Sequence, residues 1–153
     1  MLPIKKILCP TDFSEPSYEA LKMATELTLH FSSELIVVHV VAPSVVVPAT
    51  PAFQASFSIP EDQQELEKSS RKMLEDLVKE RVGEKIWTRT MVVVGDPADQ
   101  IVKIADEEKV DLIVIATHGQ TGWRRLVFGS VTEKVVRLAA QPVLTIRASL
   151  TEE

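Results

Sequence analysis

Short apolar runs alternate with longer stretches whose apolar residues recur at helical spacing. The apolar runs predict five strands, at residues 4–9, 35–41, 88–94, 112–116 and 143–146. The periodic stretches predict four helices, at residues 15–31, 60–82, 97–107 and 129–139. This alternation is typical of a parallel sheet covered on both faces. The predicted architecture is one α/β domain over residues 1–153, an open, doubly wound, Rossmann-like sheet of five parallel strands in the order 3-2-1-4-5.

The first two helices have predicted ends and predicted buried faces. Ser14 is placed to cap the first helix, and Gly83 to end the second. The apolar positions of the first helix are Ala20, Leu21, Ala24, Leu27 and Leu29, and those of the second are Leu66, Met73, Leu74 and Leu77. In the last helix the corresponding positions are Val131, Val135, Val136 and Leu138.

Residues 42–60 show no sustained period and carry prolines at 43, 48, 51 and 60, so they are predicted to form a long loop. Val45 to Val47, Phe53 and Phe57 make this loop apolar. Two interpretations stay open: the loop packs on its own domain, which we favour, or it covers a pocket mouth or a partner.

Composition and charge narrow the classes of function. The single cysteine, Cys9, ends an apolar strand and is predicted to be a small buried core residue of little reactivity. Without a cysteine pair or an apolar leader segment, the expected setting is the reducing cytoplasm. The apolar region from 35 to 47 is interrupted by His39 and Pro43, which argues against a membrane span.

The net charge of -5 comes from 17 basic and 22 acidic residues. It argues against general affinity for nucleic acid, because a phosphate backbone requires a positive surface. A local basic and aromatic cluster, Trp123-Arg124-Arg125, has two interpretations: a solvated loop, which we favour, or a ligand contact.

A phosphate site is one interpretation of residues 112–132. A buried strand runs into Ala116-Thr117-His118-Gly119, and Gly129-Ser130 then opens the last helix. A helix N-terminus offers unpaired backbone N–H groups and the positive end of the helix dipole, and Ser130 and Thr132 add hydroxyl donors. The alternative is a plain N-cap and a tight turn.

Polar residues also follow the first strand, whose carboxyl end lies at the edge of the sheet where ligands bind in this fold class. Asp12 is suited to accept hydrogen bonds from ribose hydroxyls or an adenine amine, while Thr11 and its neighbouring N–H groups fix orientation. The equally weighted alternative is that Asp12 caps the first helix together with Ser14.

The histidines and the acids of the third helix do not form a recognisable catalytic set. No Ser-His-Asp arrangement and no metal-ligand spacing is present. His39 is therefore predicted to be a hydrogen-bonded core residue, and His118 to shape its loop. Asp96 and Asp99 are interpreted as acids stabilised at a helix start. We predict neither catalytic residues nor metal ligands.

The chain resembles the universal stress proteins over nearly its whole length. The resemblance is carried by Ile7 to Ser14, by His39-Val40, by Val94 to Pro97, by Ala116 to Thr132 and by Gln141 to Leu144. The nucleotide-binding branch of that family carries Gly-x-x-Gly, nine residues, then Gly-Ser, with the backbone and the Ser holding ATP phosphates. This sequence matches at Gly119, Gly129 and Ser130 and departs at Ala116, whose methyl group is expected to narrow the site without abolishing it.

The resemblance implies an ATP site and a homodimer. Thr11 and Asp12 would face the ribose and base, with Pro10 beside them; Val40 and Ile115 would line the adenine; Ala116, His118, Gly119, Gly129, Ser130, Val131 and Thr132 would surround the phosphates. Any Mg²⁺ accompanying ATP would be held mainly by the phosphates. Homodimers would pair through the last strand, Val143, Leu144, Thr145 and Ile146.

Three functions therefore compete. The leading hypothesis is a cytoplasmic, homodimeric stress-response protein in which adenine nucleotide controls conformation or partner choice. The second is slow ATP hydrolysis or phosphoryl transfer, which is disfavoured because Val127-Phe128 precede Gly129-Ser130 where a P-loop has its lysine. The third is a protein-interaction module that does not bind nucleotide and acts through the 42–60 loop, an interpretation that Ala116 favours.

Overall fold

The computed structural model describes residues 2–43, 59–118 and 128–148, with the side chains of residues 59–61 outside that description. The predicted loop therefore falls mostly outside the described residues, as do Gly119 and Trp123 to Arg125. The elements in chain order are β1 (Lys6–Pro10), α1 (Glu15–Phe31), β2 (Glu34–Val41), α2 (Ile59–Arg81), β3 (Thr88–Val94), α3 (Pro97–Glu107), β4 (Leu112–Ala116), α4 (Ser130–Leu138) and β5 (Val143–Ile146).

The five strands form one parallel sheet in the order β3-β2-β1-β4-β5, which confirms the predicted fold and strand order. The chain moves outward from β1 to β3, then crosses back to β4 beside β1. The strand order thus reverses between β1 and β4, and the connections that follow these two strands lead to helices on opposite faces of the sheet. Ligands of doubly wound sheets bind at such a point.

Local signals set the helix ends. Ser14 caps α1 by accepting a hydrogen bond from the Ser17 N–H at 3.4 Å. Asp96 caps α3 by accepting from the Asp99 N–H at 3.0 Å, and Pro97 follows in the first turn, where no N–H is needed. α2 ends before Gly83, whose φ of 81° suits glycine and whose N–H donates to the Val78 carbonyl.

The core consists of two apolar layers, one on each face of the sheet. Alternate strand residues enter each layer because side chains of a strand point to opposite faces. The layer under α1 and α2 contains Ile7, Cys9, Leu35, Val37, Leu112, Val114 and Ala116, and the layer under α3 and α4 contains Leu8, Ile36, Val38, Ile113 and Ile115. Among the described helices, none is long and apolar enough to cross a membrane.

Several predicted buried positions are wrong. Leu29 is 55% exposed, Leu66 46% and Met73 50%, and in α4 Val136 and Leu138 are also exposed. Thr28 is buried instead, because its hydroxyl donates to the Ala24 carbonyl at 2.7 Å and leaves only its methyl to be packed.

Cys9 is confirmed as a buried core residue. Its side chain is fully buried, and this burial raises the pKa of the thiol to about 12 because the thiolate would lose its hydration. The thiol therefore stays protonated throughout the physiological range.

Candidate functional site

A cavity of about 300 Å³ opens at the carboxyl edge of the sheet, where the strand order reverses. Every predicted site residue within the described ranges lines it: Pro10, Thr11, Asp12, Val40, Ile115, Ala116, His118, Gly129, Ser130, Val131 and Thr132. The remaining one, Gly119, lies outside the described residues. The structure therefore brings the loops after β1 and β4 together around one space.

Four further residues line the cavity and were not predicted as site residues: Ser17, His39, Pro97 and Ile101. Pro97 and Ile101 come from the first turns of α3, which follows the carboxyl end of β3. A signal for Ile101 was present in the apolar spacing of α3, but the sequence did not show how closely α3 approaches β2.

The N-terminus of α4 forms one wall of the cavity and has no side-chain cap. Gly129 occupies the N-cap position with extended backbone (φ −69°, ψ 165°), and it has no oxygen to offer. The N–H groups of Ser130, Val131 and Thr132 precede any intrahelical acceptor. Within the described part of the chain they make no other hydrogen bond. The positive end of the helix dipole adds to these donors.

Two donors that the sequence assigned to a phosphate are used inside the protein. The Gly129 N–H donates to the Thr117 carbonyl at 2.6 Å, and the Thr132 hydroxyl donates to the Ala116 carbonyl at 2.6 Å. Both bonds join the start of α4 to the end of β4. At the start of α4, the N–H groups of residues 130–132 and the exposed hydroxyl of Ser130 are left as donors for a ligand.

Asp12 lines the cavity and also braces the start of α1. Its Oδ1 accepts from the Ser14 N–H at 3.1 Å and from the Ser14 hydroxyl. Asp12 therefore supports the cap residue Ser14, as the capping interpretation expected. Thr11 is 4% exposed, and its hydroxyl oxygen accepts from the Phe13 N–H at 3.1 Å and pairs with Ser17 Oγ at 2.9 Å.

Two histidines line the cavity, one from β2 and one from the loop after β4. His39 is half-buried rather than within the core, because it is close to the end of β2, but it is hydrogen-bonded as expected: its Nδ1 lies 2.8 Å from the Thr11 carbonyl oxygen. His118 Nδ1 lies 3.0 Å from Thr117 Oγ1. Among the described residues, no group of three or more His, Cys, Asp or Glu side chains is arranged to hold a metal ion.

An ion pair ties the two helices that border the cavity. Lys134 Nζ on α4 lies 3.2 Å from Asp96 Oδ1 and 2.9 Å from Asp99 Oδ1 at the start of α3. The pKa of Asp96 lies below its usual range because its carboxylate accepts the Asp99 N–H and faces Lys134. Both acids thus stabilise a helix start, as the sequence indicated.

Comparison with known proteins identifies close relatives. The model of the universal stress protein family matches residues 3–147. Universal stress protein MJ0531 of Methanocaldococcus jannaschii is 39% identical over 146 residues, which cover 94% of this chain and 82% of that protein. Universal stress protein YxiE of Bacillus subtilis is 34% identical, with 93% of this chain and 98% of that protein covered.

Solved structures share the fold. The structure of MJ0577, from the same archaeon, has a TM-score of 0.75 and 30% identity and covers 97% of this chain and 99% of that one. A universal stress protein from Archaeoglobus fulgidus, solved in complex with dAMP, has a TM-score of 0.64 over 95% of this chain and 99% of that one. Its identity is 24%, so this second likeness concerns the fold.

Proposed function

The chain belongs to the universal stress protein family, and we propose that it binds adenine nucleotide, ATP in particular, in the cavity at the carboxyl edge of its sheet. In this proposal the protein is a homodimeric binding module in the stress response, and the nucleotide controls its conformation or its choice of partner.

The uncapped N-terminus of α4 carries the proposal. Three backbone N–H groups and the hydroxyl of Ser130 converge on one wall of the cavity, where the helix dipole favours negative charge. The other two described helix starts with assigned caps, at Ser14 and Asp96, use a side-chain oxygen for this purpose. At α4 the phosphates of a nucleotide would supply the acceptor oxygens that side chains supply at the starts of α1 and α3.

The rest of the cavity suits a nucleoside. Val40, Ile115 and Val131 give it an apolar wall continuous with the core layer under α3 and α4, which can accommodate the faces of a base. Asp12 provides a carboxylate for ribose hydroxyls or for the adenine amine. The volume of about 300 Å³ is at the lower end of the range for small-molecule sites.

Ala116 is compatible with this proposal. It belongs with Val114 to the core layer under α1 and α2, whereas Ile115 belongs to the opposite layer, nearer the apolar wall of the cavity. The methyl group therefore packs in the core on the α1 side, and the Ala116 carbonyl anchors Thr132. The departure from the family glycine therefore adds its bulk to this core layer.

We propose that ATP is a ligand here rather than a substrate. The sequence before Gly129-Ser130 has no lysine of the P-loop type, and the two cavity histidines make bonds that position loops. Any Mg²⁺ would be held mainly by the phosphates.

The homodimer is proposed through β5, an edge strand of the sheet. The carbonyls of Pro142 and Ile146 accept hydrogen bonds from the N–H groups of Ile113 in β4 and of Thr117 just after it. By strand alternation the backbone groups of Val143 and Thr145 therefore face outward. A second copy pairing antiparallel would satisfy them under two-fold symmetry and cover Leu144, which is 37% exposed. The cytoplasmic setting stays a prediction from composition.

Two measurements test the nucleotide proposal. Mass spectrometry of the small molecules released by heating gently purified protein should detect an adenine nucleotide. Calorimetric titration should then give tighter binding of ATP than of adenosine, because only ATP reaches the α4 N-terminus, and weaker binding of GTP. Protein that carries no nucleotide and gives no heat with ATP would contradict the proposal and favour the interaction module.

A further inference from the structure

His39 connects β2 to the loop that carries Asp12. Its Nδ1 lies 2.8 Å from the Thr11 carbonyl oxygen. Because a carbonyl oxygen can only accept, this bond assigns a proton to Nδ1. The imidazole ring also lies 4.5 Å, centroid to centroid, from the ring of Phe13. His39 therefore contacts the residues on both sides of Asp12 while it lines the cavity.

The loop from Thr11 to Ser14 has a backbone that must be held in place. Phe13 has a φ of 62°, a left-handed conformation that is unfavourable for a large side chain. The N–H groups of Phe13 and Ser14 are bound within the loop, to Thr11 Oγ1 and Asp12 Oδ1. These local bonds fix the shape of the loop but do not attach it to the sheet.

Within the described residues, two hydrogen bonds join Thr11 to β2. One is main-chain, from the Thr11 N–H to the Val38 carbonyl at 2.8 Å, and the other comes from the side chain of His39. β2 is paired on both sides, by β1 and β3, so it is a rigid support. His39 is the link of the two that a substitution can remove without changing the backbone.

We propose that His39 is a positioning residue for the nucleoside end of the site. By donating to the Thr11 carbonyl and packing on Phe13, it holds the loop in the conformation that presents the Asp12 carboxylate to the ligand. The ligand in question is that of the proposed function, on which this inference rests. Because His39 acts at Asp12 and not at α4, its substitution should lower the affinities for adenosine and for ATP by the same factor.

Two substitutions separate the hydrogen bond from the ring. His39→Phe keeps an aromatic ring beside Phe13 but has no donor. His39→Asn carries its N–H₂ on Cγ, the atom to which Nδ1 is bonded in histidine, so it can restore the bond to Thr11. We expect both adenosine and ATP affinities to fall roughly threefold to tenfold in His39→Phe, the effect of one neutral hydrogen bond, and to recover in His39→Asn. Calorimetry measures both ligands.

Amide hydrogen exchange at Phe13 and Ser14, measured without added nucleotide, gives an independent readout. Exchange should be faster in His39→Phe and return to the wild-type rate in His39→Asn. If wild-type protein bound neither adenosine nor ATP, the proposed function would fail and the exchange rates alone would decide whether His39 holds the loop. Equal exchange in all three proteins, or faster exchange with unchanged affinity, would overturn the inference.

Discussion

Replacing Ser130 with proline removes two donors of the proposed phosphate site, a backbone N–H and a hydroxyl, while leaving the helix intact. Ser130 is the first residue of α4, where proline fits because its missing N–H has no partner within the helix. The chain already places Pro97 at the corresponding position of α3. The preceding Gly129 is extended, as a residue before proline should be, and Ser130 itself is exposed.

The expected loss follows from the number of donors. Three N–H groups are available at the start of α4, and the substitution removes one of them together with the Ser130 hydroxyl. A hydrogen bond to a charged group contributes about 1.5–3 kcal/mol. Loss of the N–H alone should therefore lower the affinity for ATP roughly tenfold to 150-fold. Ser130→Ala, which keeps the N–H, is the matched control. It measures the contribution of the hydroxyl group to ATP affinity.

Calorimetric titration with ATP and with adenosine is the assay. Adenosine has no phosphate, so its affinity should be the same in the wild type and in both variants. Thermal unfolding should change little in Ser130→Pro, since no intrahelical bond is lost. ATP affinity unchanged in Ser130→Pro, with the fold intact, would refute the assignment of the phosphates to α4.

Three further substitutions test the remaining parts of the proposal. Ala116→Gly should leave ATP affinity unchanged in calorimetry and should lower the unfolding free energy by about 1 kcal/mol in thermal denaturation. A large gain in ATP affinity would mean that the methyl group obstructs the ligand. Asp12→Ala should weaken the binding of both adenosine and ATP, and the lost bonds to Ser14 should lower stability by ~1 kcal/mol. A loss of stability with unchanged affinities would mean that Asp12 only supports the helix cap. Thr145→Pro removes an outward-facing N–H donor of β5 but keeps the hydrogen bonds between β5 and β4. Sedimentation equilibrium should therefore show a monomer for Thr145→Pro and a dimer for the control Thr145→Val. A dimeric proline variant would place the interface elsewhere.

The sequence predicted the fold well because its signals were local. The bounds of α1, β3, α3, β4 and β5 follow from apolar runs, from the caps at Ser14 and Asp96, and from the prolines that open helices. Burial within helices was predicted less well. Thr28 and Thr132 are buried because their hydroxyls find backbone carbonyls, and an apolar count does not register such bonds.

The position of the site was predictable, whereas the use of each polar group in it was not. Residue type shows that Gly129 and Thr132 possess donors, but only the packing of α4 against the end of β4 directs those donors to Thr117 and Ala116. The same limit applies to His39, which the sequence placed in the core. Its bond to Thr11 joins residues 28 positions apart, and no local pattern encodes such a contact.

The buried Cys9 has a practical consequence. It is the single thiol of the chain, and it is fully buried in the core layer under α1 and α2 with its pKa raised to about 12. A thiol reagent reacts with the thiolate, so the native protein should be inert and labelling should proceed only through opening of the core. The rate of alkylation at Cys9 thus reports the opening of the core in the unmodified protein. Added nucleotide should slow that labelling in proportion to the share of molecules it occupies.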